Sequence, residues 1–214
     1  MLNKDSPDYK QQPLNESLLE IDFGPLEELY AYVGAQCDEM RRRHPWWPCN
    51  KGCSDCCYFS TFLVSEYEFA YMRRGIALLP KNRREKIVLR AKEIAQQHIV
   101  PYAPVTHWAP VVQALQYRRI RCPLLFGGAC SVYPYRPTVC RLYGFFVTPA
   151  AEEGICYWCP KVAEATLAQP AQARARQAPN LTPITARMGE VLYGRIAIIP
   201  AWILLISSLQ NYSQ

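Results

Sequence analysis

The chain has 214 residues, a formal net charge of +6, 10 cysteines and 3 histidines. Hydrophobic residues make up 50% of it and charged residues 20%, which is typical of globular proteins and excludes a fully disordered chain or a polytopic membrane protein. A chain of this length buries roughly 70% of its unfolded surface, so it does not need crosslinks merely to have a core. The cysteines therefore require a chemical explanation.

The amino-terminal residues 1–22 are polar and show no clear periodicity, which predicts a flexible arm. They also lack the basic start and apolar core of an export signal. Without such a signal, a high cysteine content is more typical of metal binding or thiol chemistry in the cytoplasm than of disulfide bonds. We therefore predict a cytoplasmic protein.

Helical periodicity begins at Pro25. Apolar residues three and four positions apart predict one buried stripe, made of Leu26, Leu29, Tyr30, Val33, Cys37 and Met40. Its position on this stripe makes Cys37 a predicted core residue and not a ligand. The basic residues 41–43 and then Pro45 predict the end of the helix, with His44 in a C-cap or surface role.

Shorter elements follow the first helix. Turn-forming residues predict an irregular loop over 45–57, and aromatic and β-branched residues predict a brief strand over 58–64. Ser65 and Glu68 have the spacing of a capping box, which predicts a helix that ends at Gly75.

From residue 82 onward, helical and irregular patterns alternate along the chain. We predict a helix over 82–99, a short helix over 107–117, irregular loops around short elements over 121–146, and a solvated helix or linker over 161–183. On the 82–99 helix, the buried face is predicted to consist of Ile87, Val88, Ala91, Ile94 and Ala95, and Leu89 lies off it. The apolar run 196–209 is shorter than the about 20 residues of a membrane-spanning helix, so we predict a buried segment rather than a tail anchor.

The predicted fold class is mainly α: a small helical scaffold with irregular cysteine-rich loops and little β structure. We predict three parts. Residues 1–22 form the arm, residues 23–160 form the cysteine-rich domain, and residues 161–214 form an Ala/Gln/Pro-rich segment followed by an apolar segment that packs on that domain.

Nine cysteines fall into three clusters: Cys49, Cys53, Cys56 and Cys57; Cys122, Cys130 and Cys140; Cys156 and Cys159. Two-residue spacers let a tight turn direct two thiolates at one ion, and soft thiolates favour zinc, copper(I) or iron–sulfur clusters. All nine are therefore candidate metal ligands. They exceed the four that one tetrahedral zinc or one four-iron cluster needs, so either two sites exist or some cysteines are structural.

Basic residues accompany these clusters. Arg119, Arg121, Arg136 and Arg141 flank the second cluster, where they would either offset the charge of thiolates or form a solvated surface. Basic pairs elsewhere could bind nucleic acid, but the charge balance is less basic than that of dedicated nucleic-acid binders. We therefore favour solvated helix ends for these pairs.

The order of short motifs is the most specific feature of the chain. It reads C-S-D-C-C at 53–57, R-C-P-L-L at 121–125, C-S-V-Y at 130–133, R-P at 136–137 and C-R at 140–141. This combination resembles the bacterial CxxCxxCC (YkgJ-like) family of zinc- or iron-chelating domains. The resemblance covers about residues 49–143, although three residues rather than the family's two separate the first two cysteines. It implies a metal-chelating domain with these ligands: Cys53, Cys56, Cys57, Cys122, Cys130 and Cys140.

No GxSxG, HExxH, Walker or GxGxxG motif in a suitable context is present, so the sequence predicts no particular enzyme activity. The leading hypothesis is a cytoplasmic metalloprotein that holds zinc, iron or an iron–sulfur cluster, with a structural or electron-transfer role. The excess of thiols favours iron or an iron–sulfur cluster by a small margin. The alternatives are a zinc-stabilised module that binds nucleic acid or protein, and a thiol–disulfide redox protein that uses Cys156 and Cys159. The predicted partners are a metal ion and an unidentified protein or redox partner.

Overall fold

A computed structural model of the chain describes residues 21–59, 62–97, 102–104, 120–145, 147–149, 155–157, 159–171 and 195–210. Within these residues the protein is mainly helical, which confirms the predicted fold class. The α-helices of this part are α1 Gly24–Arg43, α2 Cys56–Phe59, α3 Glu66–Ala77, α4 Lys81–Gln97, α5 Thr138–Leu142, α6 Pro160–Leu167 and α7 Ile199–Gln210.

The strands are two to four residues long: β1 Leu63–Ser65, β2 Tyr102–Pro104, β3 Leu125–Phe126, β4 Ala129–Cys130, β5 Val147–Pro149, β6 Ile155–Tyr157 and β7 Arg195–Ile198. Strand β7 lies between β1 and β2 in an antiparallel sheet, with Val64 opposite Ala197. The pairs β3–β4 and β5–β6 are separate hairpins. The β3–β4 hairpin turns at Gly127 and Gly128, whose φ angles of 56° and 76° suit a two-residue hairpin turn.

Helix α1 forms as the sequence predicts. All six residues of the predicted stripe are buried, Cys37 among them. The helix has a proline in its first turn and three basic residues in its last turn, both of which suit those positions. His44 is its C-cap residue, and its backbone N–H donates to the carbonyl of Met40. The C-cap role that we preferred for His44 is thus confirmed.

The segment after the first loop differs from the prediction. Residues 58 and 59 belong to the short helix α2, and the strand covers only Leu63–Ser65. The aromatic and β-branched composition indicated a strand, but the loop closes into a helical turn when the backbone N–H of Cys57 bonds to the carbonyl of Ser54.

Helix α3 begins at the predicted cap, because the side chain of Ser65 accepts a hydrogen bond from the backbone N–H of Glu68. The predicted end at Gly75 is wrong, since the helix continues to Ala77. A Cβ at position 75 would lie 2.6 Å from Cγ of Tyr135. This glycine therefore permits a close helix contact and does not terminate the helix.

Helix α4 ends at Gln97, so residues 98 and 99 of the predicted helix lie outside the described residues, as does the predicted helix over 107–117. Of its predicted face, Ile87 and Ala91 are buried and the other three are half-buried, whereas Leu89 is exposed. The apolar carboxy-terminal segment forms β7 and then α7, which packs along α4, and its residues 197–203 are buried, as predicted.

Two hydrophobic cores organise the described residues. We call one the C-terminal core: it surrounds Trp202, which stacks on Phe69 and donates a hydrogen bond of 2.9 Å to the carbonyl of Val64. The other, the N-terminal core, surrounds the stripe of α1 and includes Trp47 and Tyr67. Helix α3 contributes to both, with Phe69 on one side and Tyr67 on the other.

No helix in the described part of the chain is both long and apolar enough to cross a membrane. The predicted arm over 1–22 lies almost entirely outside the described residues, and so does most of the segment predicted over 161–183. From this second segment the structure describes α6, which buries Val162 and Thr166.

The close approach of Gly75 to Tyr135 gives a direct test of the packing between α3 and the 130–145 segment. We expect Gly75→Ala to lower the free energy of unfolding by about 1–3 kcal/mol, because the added methyl group overlaps the Tyr135 side chain. Gly34→Ala is the matched control: nothing lies within 4 Å of its Cβ position in α1, and alanine there should stabilise the helix by up to about 1 kcal/mol. Urea denaturation measures both, and equal effects of the two variants would contradict this account.

Candidate metal centre

Trp47 anchors the first cysteine loop to the N-terminal core. Its side chain is 1% exposed, its Nε1 donates a hydrogen bond of 3.1 Å to the carbonyl of Gly144, and its ring stacks on Phe145. At the start of the loop, Nε of Arg41 donates to the carbonyl of Cys49 at 3.0 Å. These contacts of Trp47 and Arg41 fix the backbone that carries the first cysteines.

Cys49, Cys53 and Cys159 form what we call the first thiol group. Cys49 packs against Gly144, where a Cβ would lie 2.7 Å from the Cβ of Cys49. Cys159 is the N-cap residue of α6, and the next turn of that helix is tied to the first loop by an ion pair of 3.3 Å between Lys161 and Asp55. Of the third cysteine cluster, the structure thus places Cys159 beside the first cysteine loop.

Cys57, Cys122, Cys130 and Cys140 form what we call the second thiol group. The backbone N–H of Cys122 donates to the carbonyl of Cys57 at 2.8 Å, which joins the two loops directly. Cys130 ends the β3–β4 hairpin, and Cys140 lies in α5. Three of these residues also line a small cavity of about 30 Å³, where Cys57, Cys122 and Cys140 meet.

Some of these thiols face one larger cavity of about 450 Å³. Six cysteines line it: Cys53, Cys56, Cys57, Cys122, Cys130 and Cys140. Cys49 and Cys159 are not in its wall. Among the described residues of the wall none is Asp, Glu or His, so soft sulfur donors predominate over the hydroxyls of Ser54 and Tyr133. This donor set fits zinc, iron or an iron–sulfur cluster and does not fit magnesium or calcium.

The described structure gathers the backbone positions of the cysteines around the cavity wall. In this part of the chain, no three Cys, His, Asp or Glu side chains are arranged as the ligands of one ion.

Burial raises the pKa of several of these thiols. It raises the pKa of Cys49 to about 11 and that of Cys122 to about 12. The pKa of Cys140 lies well above the usual value for the same reason, with Cys122 and Cys56 adding to the rise. For Cys56 the hydrogen bond with Cys57 is the main cause of a raised pKa. Thiols with a raised pKa are poor nucleophiles at neutral pH, but a metal ion can still displace their protons.

Two cationic side chains, those of Arg136 and Lys51, line the cavity. The guanidinium of Arg136 lies 3.5 Å from the ring centre of Tyr133, and the ammonium of Lys51 lies 6.0 Å from the same centre. Arg136 also lowers the pKa of Cys56, Cys130 and Cys140, against the effect of burial. Of the three arginines near the second cluster that the structure describes, it is thus the one placed to offset thiolate charge.

The other predicted arginines have different surroundings. Arg141 points away from the cavity, with its guanidinium 4.0 Å from the ring centre of Tyr30. Arg121 is exposed beside Tyr58, and Arg119 lies outside the described residues. The basic run 41–43 pairs with Asp38 and Glu39 in exposed ion pairs, which agrees with a solvated helix end.

Glu68 holds the helix that carries Cys140, through contacts that the sequence did not reveal. Its carboxyl is buried and accepts hydrogen bonds from the hydroxyl of Tyr30 at 3.2 Å and from the backbone N–H of Thr138 at 2.6 Å. It thereby joins α1 and α3 to the first turn of α5, which carries Cys140. The capping box identified Glu68 as a helix-start residue, but no sequence signal indicates its contact with Thr138, 70 positions along the chain.

Most of the predicted ligands are thus brought into one region. Of the nine, Cys156 belongs to β6, but its side chain lies outside the described part of the structure. The other eight contribute to the two thiol groups or, for Cys56, to the cavity wall between them. Lys51 and Tyr133 are cavity residues that the sequence analysis did not single out, although both adjoin predicted cysteines.

A mainly helical scaffold that gathers soft thiol donors at one cavity, without carboxylate or imidazole donors in its described wall, defines a cysteine-based metal-binding protein. The CxxCxxCC family model, described as "Putative zinc- or iron-chelating domain", matches residues 48–164, more than half of the chain. The chain belongs to this family. Comparison with curated proteins and with solved structures yields no match.

The buried carboxyl of Glu68 predicts a specific pH dependence of stability. Burial raises its pKa above the usual value of about 4.3, so the folded protein binds more protons than the unfolded chain in the range between the two pKa values. Stability should therefore fall as the pH rises above about 4.3 and through the folded-state pKa of Glu68, and Glu68→Gln should remove that part of the slope. Urea denaturation of the metal-free, reduced protein across this range measures it.

Glu39→Gln is the matched control for this measurement. The pKa of Glu39 is lowered by its hydrogen bond with Arg43, so its charge state is the same in the folded and unfolded protein above about pH 5. We expect this variant to keep the wild-type slope. A Glu68→Gln slope that equals the wild-type slope would contradict the burial of an ionisable group at this position.

Proposed function

We propose that this protein binds zinc or iron through the thiols of its two cysteine groups, with an iron–sulfur cluster as the favoured form of iron. The observation that carries the proposal is the 450 Å³ cavity whose wall holds six cysteines, contributed by loops far apart in sequence. The family of the chain supports the metal, and the donor chemistry supports these residues as its ligands.

The state of the cysteines supports the same proposal. No disulfide bond joins the nine cysteines whose side chains the structure describes. Free thiols at this density are typical of a reducing compartment, so we place the protein in the cytoplasm. The raised pKa of Cys49, Cys122 and Cys140 also disfavours disulfide exchange at these thiols, because that reaction requires an accessible thiolate.

The cysteines would hold a metal as thiolates, so metal binding would release their protons. Arg136 and Lys51, which line the cavity, would offset the negative charge of the thiolates, and a guanidinium can donate hydrogen bonds to sulfur. A bound zinc would crosslink the loops, whereas a bound iron–sulfur cluster would supply one-electron chemistry.

The role of the metal depends on its identity. If four thiolates close the coordination of zinc, no position is left for a substrate, and the role is structural. If an iron–sulfur cluster is bound, its open-sided cavity suits electron exchange with a redox partner. The number of thiols in the region favours the cluster, because they exceed what one zinc requires.

The decisive experiment measures metal, acid-labile sulfide and the visible spectrum of protein that is purified without oxygen and without a metal-binding tag. We expect iron with sulfide and broad visible absorption. Cys140→Ser should weaken metal binding by more than about 100-fold, because even changes in groups that only orient ligands cost about 10- to 100-fold. Cys37→Ser is the matched control, since this buried thiol contacts the carbonyl of Arg141 and belongs to neither thiol group.

The other outcomes separate the alternatives. Zinc without colour would favour the structural site or a zinc-stabilised module that binds nucleic acid or protein, and salt-sensitive RNA binding would then be tested. Absence of metal together with a reversible disulfide between Cys156 and Cys159 would overturn the proposal in favour of a thiol–disulfide redox protein.

A further inference from the structure

We infer that a patch of three arginines beside the cysteine cavity is the docking surface for an acidic face of a partner protein. We call it the arginine patch: it consists of Arg83, Arg90 and Arg121 together with the aromatic residues Phe126 and Tyr58. The surface stands on residues other than the cysteines, and only its use by the metal centre rests on the proposed function.

An aromatic ring and a backbone carbonyl hold two of the guanidinium groups in place. Arg83 and Arg90 lie two turns apart in α4, and their guanidinium carbons are 4.1 Å and 3.6 Å from the ring centre of Phe126. Arg90 also donates a hydrogen bond of 2.7 Å from Nη1 to the carbonyl of Leu125. Arginine side chains that are stacked and bonded in this way lose less conformational freedom when they bind a partner.

Arg121 and Tyr58 complete the patch. The guanidinium carbon of Arg121 lies 5.3 Å from the ring centre of Tyr58, and both side chains are exposed. The pKa of Arg90 lies below the usual value, first because of desolvation and then because Arg121 and Arg83 carry like charge nearby. The three guanidinium groups therefore share one region of the surface in spite of their mutual repulsion.

Carboxylates of the chain do not neutralise this charge. Among the described side chains, no Asp or Glu forms an ion pair with Arg83, Arg90 or Arg121. The basic run 41–43, by contrast, is paired with carboxylates of its own helix. A group of cations without counter-charges attracts the carboxylates of a partner and steers its approach.

The details of the patch favour a protein over a nucleic acid. Single-stranded nucleic acids bind by stacking their bases on aromatic rings, but two guanidinium groups already lie against the ring of Phe126. Glu93 lies near enough to Arg90 to act against the lowering of its pKa, and its carboxylate would repel a continuous phosphate chain. Separate carboxylates on a protein face can instead pair with individual guanidinium groups.

The patch borders the cavity. Phe126 lies opposite Ala129 in the β3–β4 hairpin, and Ala129 lines the large cavity. Arg121 and Tyr58 are the sequence neighbours of two cavity cysteines whose backbones are joined by a hydrogen bond of 2.8 Å. A partner on this surface would therefore lie next to the second thiol group. Small interfaces that are steered by charge are typical of transient redox partners.

The test measures the binding of labelled probes to the full-length, reduced protein by fluorescence anisotropy. The probes are a short peptide of alternating Glu and Gly, the same peptide with Gln in place of Glu, and a single-stranded RNA of the same net charge as the acidic peptide. We expect the acidic peptide to bind, with an affinity that falls as the salt concentration rises. We expect the Gln peptide not to bind.

The patch is removed by the triple variant Arg83→Gln, Arg90→Gln and Arg121→Gln. It should weaken binding of the acidic peptide by about 10-fold or more, because three modest charge pairs are lost together. Far-UV circular dichroism reports whether the variant is folded. Arg121→Gln alone, at an exposed position, replaces a triple variant that is not.

The matched control removes the same charge elsewhere, through Arg42→Gln, Arg43→Gln and Arg74→Gln. Arg42 pairs with Glu39 in α1, and Arg74 lies over the ring of Phe23, a residue of the N-terminal core. This variant should weaken the peptide by less than about 3-fold, because screening limits the effect of distant charges.

The outcomes decide between the alternatives. Equal weakening by the two triple variants would overturn the patch, since binding would then follow net charge alone, and so would an acidic peptide that does not bind the wild type. Tighter binding of the RNA, lost in the patch variant, would overturn the protein partner in favour of nucleic acid. The zinc and iron contents of the same wild-type samples are measured separately: absence of both metals would overturn the proposed function and leave the docking surface standing.

Discussion

The buried carboxyl of Glu68 accepts hydrogen bonds from Tyr30 in α1 and from the backbone N–H of Thr138 in α5. Removing such a group from water costs several kcal/mol unless its acceptors are satisfied, so these partners must stay in place for the fold to persist. Because Glu68 itself lies in α3, one side chain fixes three helices relative to each other. The cysteine segment that includes Cys140 depends on that arrangement.

The same helix α3 contributes to both hydrophobic cores, and cysteines of the candidate site pack against each of them. A metal bound there would crosslink segments that the short strands hold only weakly, since sheets of two or three short strands have little stability of their own. The binding free energy of a thiol site would then contribute directly to the stability of the fold. We therefore regard metal binding and the docking of the two cores as coupled.

Local signals in the sequence were sufficient where neighbouring residues decide the structure. The stripe of α1 and the Ser65 cap were predicted correctly because periodicity and capping act within one or two turns of helix. The predicted helix end at Gly75 was wrong, because Tyr135 comes from a segment 60 residues further along the chain. The predicted strand over 58–64 was too long, because the hydrogen bonds of the first cysteine loop continue into a helical turn.

For the site, the cysteine spacing and motif order by themselves determined the class of chemistry, since thiol groups in paired spacers favour soft metals whatever the fold around them. They also determined the family. The sequence could not determine which thiols lie together, because spacing constrains only ligands within one loop. That grouping was decided by the tertiary structure. Trp47 and Gly144 position one group, and the carboxy-terminal residues Ile198 and Ile199 line the small cavity beside the other. These contacts join residues that are too distant in sequence for any local pattern to predict.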